Sequence, residues 1–448
     1  MNYYFLISFI FVLGISFFIG YRCSLGAKDS QDFFLANRKF GIFSISMSLL
    51  ATQLGGGVIL GTSDFSYEYG IYGIFYTFGL SLGLIAISIF GAKQLREKNI
   101  ETIAELFEKE YNSPFLRKLA SLISIGSLYG IFISLIIGSK KLLFSLGIEN
   151  EFIFYMFWLC LILYTTIGGI KGVIYTDIFQ ILIVFIIFIS VLIYYYISKY
   201  EYIDYALNNI FVLKQDSNIS FFPYIIVPFL YVFIEQDMAQ RFFSAKNSKT
   251  AYYSAFLAGC LLLLFSFIPL IFGIAARKEI GFIGNDSVLI MFFSKTSNQF
   301  ISGVLGVAIL CAIISTADSL LCAISSNLSL DFKKIFKNKI LYSRVITVLF
   351  GCVALIIAKN FDNILKTMLF SYEIMVCTLF FPIVISYFKN KYEASFAYIS
   401  IVIGLLAFLS YDYVMSMLSM QWNKNVFCLF ATLFTFPIYM FYKGLLRR

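Results

Sequence analysis

Apolar runs of about 18 to 25 residues recur along the whole chain, each long enough to cross a hydrocarbon core of about 30 Å. They fall at 2–21, 41–63, 72–92, 119–139, 150–168, 174–197, 221–237, 250–275, 300–328, 343–358, 366–388, 394–411 and 424–442, thirteen in all. A lipid core offers no water to backbone groups, so a chain built this way is expected to be an all-α polytopic membrane protein. Composition agrees. Of 448 residues, 60% are hydrophobic and 13% charged, with a mean hydropathy of +0.86. That is too little charge to wet the surface of a soluble protein this long. The first run has no basic residues before it, is too long for a signal-peptide core and ends in no small-residue cleavage site, so it reads as a retained helix.

The net charge of +9 does not point to nucleic acid, because the basic residues form no patch on a folded module. They lie in short turns, and about 24 of the 34 fall on one side if the N-terminus is outside and the C-terminus inside. The expected location is a bacterial-type cytoplasmic (inner) membrane. Eight cysteines without CxxC spacing read as buried free thiols. The absence of histidine removes imidazole acid–base chemistry, histidine metal sites and Ser-His-Asp arrangements together. No phosphate-binding GxxxxGK[ST] loop is present, so the chain carries no ATP motor of its own. No catalytic residues, organic cofactor or obligate protein partner are expected. The whole of 1–448 reads as one transmembrane domain. The longest polar connections are 93–118, 199–220 and 276–299, and the first holds a short amphipathic segment, 100–110, expected on the inner face.

Polar and glycine-rich interruptions in apolar helices mark packing seams or substrate paths. The second run contains Gln53, Leu54 and three consecutive glycines, Gly55, Gly56 and Gly57. Each glycine costs about 1 kcal/mol in a helix relative to alanine, so the helix can unwind there and free carbonyls for a cation. Close helix packing through small residues is the alternative. In the ninth run, helical spacing puts Ala312, Ser315, Thr316, Asp318, Ser319, Cys322 and Ser326 on one side and Leu310, Ile313, Ile314, Leu320, Leu321 and Ile324 on the other. The hydroxyls and a carbonyl one turn earlier are hard oxygen ligands for a group I cation. Hydrogen-bond glue between helices is the alternative. Asp177 reads as a second carboxylate near that site or as a residue capping a helix start. Pro228 can break the seventh run, and Glu235, Asp237 and Arg241 at its end read as a salt-bridged gate or a solvated helix end. Glu373 either pairs with Lys366 or faces a central cavity, where it would meet a substrate amine or hydroxyl.

Taken in order, several stretches resemble the sodium:solute symporter family, which includes proline, pantothenate, sialic acid and sodium/glucose carriers. They are Asp32-Phe-Phe-Leu-Ala-Asn-Arg, Ala51 to Gly61, Tyr67-Glu-Tyr-Gly, Tyr164 to Gln180, Glu235-Gln-Asp-Met-Ala-Gln-Arg and Ala312-Ile-Ile-Ser-Thr-Ala-Asp-Ser. The resemblance implies a leucine-transporter-type fold: an extra N-terminal helix at 2–21, inverted five-helix repeats at 41–200 and 220–390, and C-terminal helices at 394–448. It implies a sodium ion held by Ala51, Leu54, Ala312, Ser315 and Thr316, and a second cation site at Asp177, Asp318 and Ser319. Substrate contacts are implied near Gln53, Gly57, Val58 and Glu373. Gln53 departs from the proline carriers, which have an aspartate there. The function implied is sodium-coupled symport of a small organic solute (amino acid, organic acid, sugar or vitamin) by alternating access. Proton coupling, or a sensor that keeps the fold without transport, are the alternatives.

Overall fold

The computed structural model describes residues 3–25, 30–213, 221–281, 287–332, 339–360, 364–387, 392–418 and 423–446. Their backbone is helix joined by turns, and the one β-type pairing among them is an isolated bridge between Phe40 and Ala245. The principal helices are α1 (Tyr3–Ser24), α2 (Ile42–Gln53), α3 (Gly56–Tyr69), α4 (Phe75–Phe90), α5 (Pro114–Ser145), α6 (Glu151–Ser198), α7 (Pro223–Tyr231) and α8 (Gln236–Ser244). They continue with α9 (Ser248–Ala275), α10 (Gln299–Asp331), α11 (Lys339–Ile357), α12 (Ile364–Tyr387), α13 (Ala394–Leu418), α14 (Lys424–Leu433) and α15 (Thr435–Leu446).

Among the described residues, ten helical segments are long and apolar enough to cross a membrane. The thirteen expected runs map onto them with two kinds of difference. The short helices α2, α7 and α8 fall below spanning length, and two pairs of runs are continuous helical segments, 56–90 and 151–198. Both continuous segments fold back on themselves. A straight α6 of 48 residues would be about 72 Å long, more than twice the hydrocarbon thickness. At Gly169 the backbone takes φ +58°, ψ −169°. Tyr164 and Thr176, on either side of it, both reach the same oxygen, Asp318 Oδ2, at 2.9 and 3.4 Å. A straight helix would hold those residues about 18 Å apart along its axis, so two limbs meet at Gly169. The chain turns likewise at Gly70 (φ +59°, ψ −130°). There the Thr62 and Thr77 hydroxyls, 15 residues apart in sequence, lie 2.8 Å from each other.

Helix α10 is buried along its length and packs on α1, α2, α5, α6 and α11. Its bulky stripe therefore faces other helices, not lipid. By contrast α1 exposes Ile7, Ile10 and Phe11, and α13 exposes Leu405, Leu406 and Leu409, surfaces that suit hydrocarbon rather than water. The amphipathic segment expected on the inner face is the helix Glu105–Tyr111, and its apolar side chains Leu106, Phe107 and Tyr111 are buried in the protein. Tyr111 donates to the Pro382 carbonyl (2.6 Å). Beside it, Arg117 at the start of α5 donates to Asp331 Oδ1 (2.7 Å), Glu108 Oε2 (2.6 Å) and the Leu330 carbonyl (3.1 Å), and Thr102 adds a bond to Asp331 (2.7 Å). The C-terminal end of α10 is thereby tied to the start of α5.

The backbone at Gly169 lies in a region that only glycine populates freely, and a Cβ built there would sit 2.7 Å from the Phe33 carbonyl. Gly169→Ala is expected to destabilise by about 1–3 kcal/mol or more. Gly126→Ala on α5, where a Cβ meets nothing within 4 Å, should be neutral or slightly stabilising. Thermal unfolding of the two variants in detergent, followed by size-exclusion fluorescence, checks the contrast.

Candidate functional site

The glycine-rich stretch does interrupt its helix. Helix α2 ends at Gln53, Leu54 takes φ −83°, ψ 48° and Gly55 is extended before α3 begins at Gly56. An α-helix leaves its last four carbonyls without helical partners. Here the interruption lies in the protein interior, so those carbonyls need other donors. The Leu54 amide returns to the Leu50 carbonyl (2.8 Å). The next two carbonyls are met by α10: Ser315 Oγ donates to Ala51 O (3.0 Å) and Thr316 Oγ1 to Thr52 O (2.9 Å). Both hydroxyls also lie against the Ala312 carbonyl, at 3.0 and 3.2 Å. Glycine is needed at 55 because a Cβ there would lie 2.5 Å from Thr316 Oγ1.

The structure thus brings Ala51, Ala312, Ser315 and Thr316 into one buried cluster of oxygens, with Thr52 added. The Leu54 carbonyl, expected as a further ligand, sits in the interruption and accepts no hydrogen bond among the described residues. Two hydroxyls and three carbonyls form a donor set of the hard type that a small monovalent cation takes. The polar stripe read from helical spacing splits in two. Ser315, Thr316 and Ser319 face α2, whereas Asp318 faces α6, where Tyr164 and Thr176 donate to its Oδ2.

The residues read as a second cation site and those read as a gate belong to one network. Arg241 of α8 is fully buried, and four hydrogen bonds fix its guanidinium. Nη2 donates to Asp177 Oδ2 (2.8 Å) and Ser319 Oγ (2.5 Å), Nε to Ser48 Oγ (2.9 Å) and Nη1 to the Asp237 carbonyl (2.7 Å). Ser48 Oγ in turn donates to Asp177 Oδ2 (2.5 Å). Asp177 is therefore neither a helix cap nor interfacial, and Glu235, Asp237 and Arg241 are not a solvated helix end, since all are buried. The guanidinium stands between Asp177 and Ser319, so a positive charge already bridges two of the three residues expected around a second ion. Asp177 Oδ1 and Asp318 Oδ1 have no hydrogen-bond partner among the described residues. Thr52 Oγ1 lies 3.1 Å from Ser319 Oγ, joining this network to the oxygen cluster.

The second interrupted helix lies opposite. Helix α7 runs through Pro228 and ends at Tyr231, three residues beyond the proline. The Phe233 and Ile234 amides make short i→i−3 bonds, and Tyr387 of α12 donates to the Phe233 carbonyl (2.5 Å). Glu235 then begins α8 with extended geometry. Its carboxylate accepts from Gln53 Nε2 (2.7 Å), joining the two interruptions. Between them lies a narrow cavity with room for about one water molecule. Gln53, Gly57, Val58 and Glu235 line it, and so does Thr316 of the oxygen cluster.

Glu373 is not part of that cavity. It accepts from Asn425 Nδ2 of α14 (3.0 Å), and the side chain of Lys366, its alternative partner, lies outside the described residues. Its neighbour Tyr372 takes the position instead, facing Tyr76 of α4 with their hydroxyls 2.9 Å apart. Tyr231 stacks on Tyr372 with ring centroids 4.0 Å apart, and Met368 fills the space beside Gly57. Sequence reasoning passed over Tyr76, Tyr372, Met368, Ser48 and Tyr164. The first three sit among many aromatic and apolar residues in runs that offer no local sign of them. Ser48 lies in the second apolar run and Tyr164 opens one of the stretches that carry the resemblance, but only their partners reveal what they do.

The family model for "Sodium:solute symporter family" matches residues 33–404. The chain is similar to High-affinity choline transporter 1 of Drosophila melanogaster, 23% identical over 436 residues, covering 87% of this chain and 68% of the relative. It is also similar to Sodium/pantothenate symporter of Haemophilus influenzae, 26% identical over 425 residues, covering 88% and 87%. Among solved structures, the substrate-bound outward-open state of a Na+-coupled sialic acid symporter superposes with a TM-score of 0.78 at 18% identity, covering 97% of this chain and 95% of the other. The fold is that of leucine-transporter-type carriers.

The buried Asp177–Arg241 pair carries a stability prediction. Removing one partner strands a buried charge, so Asp177→Ala should destabilise by about 3–5 kcal/mol. Asp177→Asn combined with Arg241→Met should cost less than Asp177→Ala alone. Thermal unfolding of the purified variants measures the difference.

Proposed function

The chain belongs to the sodium:solute symporter family, and from that premise we propose that it is a secondary active transporter that carries a small organic solute with sodium. The observation that carries the proposal is the pair of cross-helix bonds at the interruption, Ser315 to the Ala51 carbonyl and Thr316 to the Thr52 carbonyl. Each element alone is an incomplete ligand set: α2 offers carbonyls without helical partners, and α10 offers hydroxyls. Together they form a seat whose oxygens exchange hydrogen bonds with one another and can turn the same lone pairs to sodium.

In this reading sodium enters from outside, binds between α2 and α10 and favours the arrangement in which the cavity accepts solute. The ion gains affinity from both helices at once, so it shifts the population toward states in which they lie together. Thr316 touches both seat and cavity, which gives ion and solute a shared wall. The membrane potential contributes about 2.3 kcal/mol per charge per 100 mV toward accumulation. The paired interruptions, at 54–55 and 232–235, support two inverted repeats at 41–200 and 220–390. The excess of basic residues in alternate loops supports an inner membrane with the N-terminus outside and the C-terminus inside.

Proton coupling is the second reading. Asp318 favours it: its carboxylate is buried, accepts from the neutral donors Tyr164 and Thr176, and is in no ion pair among the described residues.

Ser315→Ala together with Thr316→Ala is expected to abolish sodium-dependent uptake while leaving the protein inserted at wild-type level. The same double variant should lose the sodium-induced rise in melting temperature of the purified protein. Uptake that survives replacement of sodium at fixed pH but vanishes on Asp318→Asn would instead establish the proton.

A further inference from the structure

The cavity between the two interrupted helices is lined by one acidic side chain and no basic one. Glu235 lines it with a 5%-exposed carboxylate. It accepts from the neutral Gln53 amide, lies against the Asp237 carboxyl group, and takes part in no ion pair among the described residues. No basic side chain lines the space. Arg241, in the same helix, spends four of its five N–H groups on Asp177, Ser319, Ser48 and the Asp237 carbonyl. The rings of Tyr76 and Tyr372 line the same space, the latter backed by Tyr231.

We propose that the solute carried by this protein bears an ammonium nitrogen, seated between the Glu235 carboxylate and the Tyr76 and Tyr372 rings. A buried carboxylate repels an anion, and a neutral hydroxyl or amide can donate a hydrogen bond to it but leaves its charge uncompensated, whereas a cation offsets that charge. Aromatic faces attract the same cation through their quadrupoles, most strongly where water is excluded. The two interactions need no directional donor, so they suit primary amines and fully substituted ammonium groups alike. Met368, unbranched and flexible, fills the remaining space and can move aside for a compact head group. The inference rests on the reading of this cavity as the solute's place in a sodium-coupled carrier.

The test measures binding to the purified full-length protein by thermal shift and by isothermal titration, with and without sodium. The probes are choline, glycine betaine, putrescine and lysine. Choline and glycine betaine are each paired with a carbon isostere that lacks the positive nitrogen, 3,3-dimethylbutan-1-ol and 3,3-dimethylbutanoate. At least one ammonium compound is expected to bind, and an isostere to bind at least about a hundredfold more weakly or not at all. Glu235→Gln and Tyr372→Leu should each weaken the bound ammonium compound by about tenfold or more, while Tyr372→Phe, which keeps the ring, stays within about threefold. Variant folding is checked by sodium-induced stabilisation, which depends on Ser315 and Thr316 and not on Glu235. Equal binding of an isostere, or affinity unchanged in Glu235→Gln, overturns the proposal. So does the absence of binding by every ammonium compound to a protein that sodium still stabilises, a result that leaves sodium coupling standing. Loss of the sodium response as well would remove both.

Discussion

Everything at the centre of this protein depends on where the carbonyls of one broken helix find their donors. Interrupting a helix inside an apolar bundle exposes backbone oxygens that hydrocarbon cannot satisfy. The break after Gln53 is tolerated because α10 lays two adjacent hydroxyls against the Ala51 and Thr52 carbonyls. Gly55 allows the approach, since any side chain there would meet Thr316. The contact is a structural necessity and a functional opportunity at once. The oxygens that keep the interruption stable are of the type that bind an alkali cation, and they lie within one residue of the cavity lining.

The charged residues obey a similar economy. Burying a carboxylate in such an environment is costly unless a partner is built beside it. Asp177 has Arg241, Asp331 has Arg117, and in both cases a hydroxyl completes the arrangement: Ser48 for the first and Thr102 for the second. Asp318 and Glu235 are different. Tyr164 and Thr176 donate to the first and Gln53 to the second, which also lies against the Asp237 carboxyl group. The division separates carboxylates tied to a buried guanidinium from carboxylates met without one.

Much of this was legible in the residue order. The apolar runs, the break at Gly55 and the hydroxyl stripe of α10 are local patterns; the break lies where expected, whereas the thirteen runs resolve into ten spanning segments and the stripe divides between α2 and α6. What the sequence could not deliver is anything decided by which helices touch. Glu373 and Tyr372 are adjacent, yet helical rotation sends the first to Asn425 and the second to the cavity. Asp177 and Ser319 read as ligands of an ion because nothing in a linear reading brings Arg241, more than sixty positions from either, between them. Pro228 marks a break that falls three residues later than the proline, because the turn is set by the bonds of Phe233 and by Tyr387 rather than by the missing amide alone. The amphipathic segment at 100–110 has the pattern of a surface helix, but the bundle supplies its apolar partner instead of lipid.

The Arg117 cluster fixes the mechanical role of α10. The helix that carries the hydroxyls is clamped at its C-terminal end to the foot of α5 through Asp331 and the Leu330 carbonyl. Among the described residues α2 and α8 make no ion pair with α5, and each adjoins residues without continuous helical bonding. A rearrangement that opened this end of the bundle would therefore swing α2 and α8 as levers against a stationary post. The oxygen cluster, half on the lever and half on the post, would come apart as its fulcrum turned.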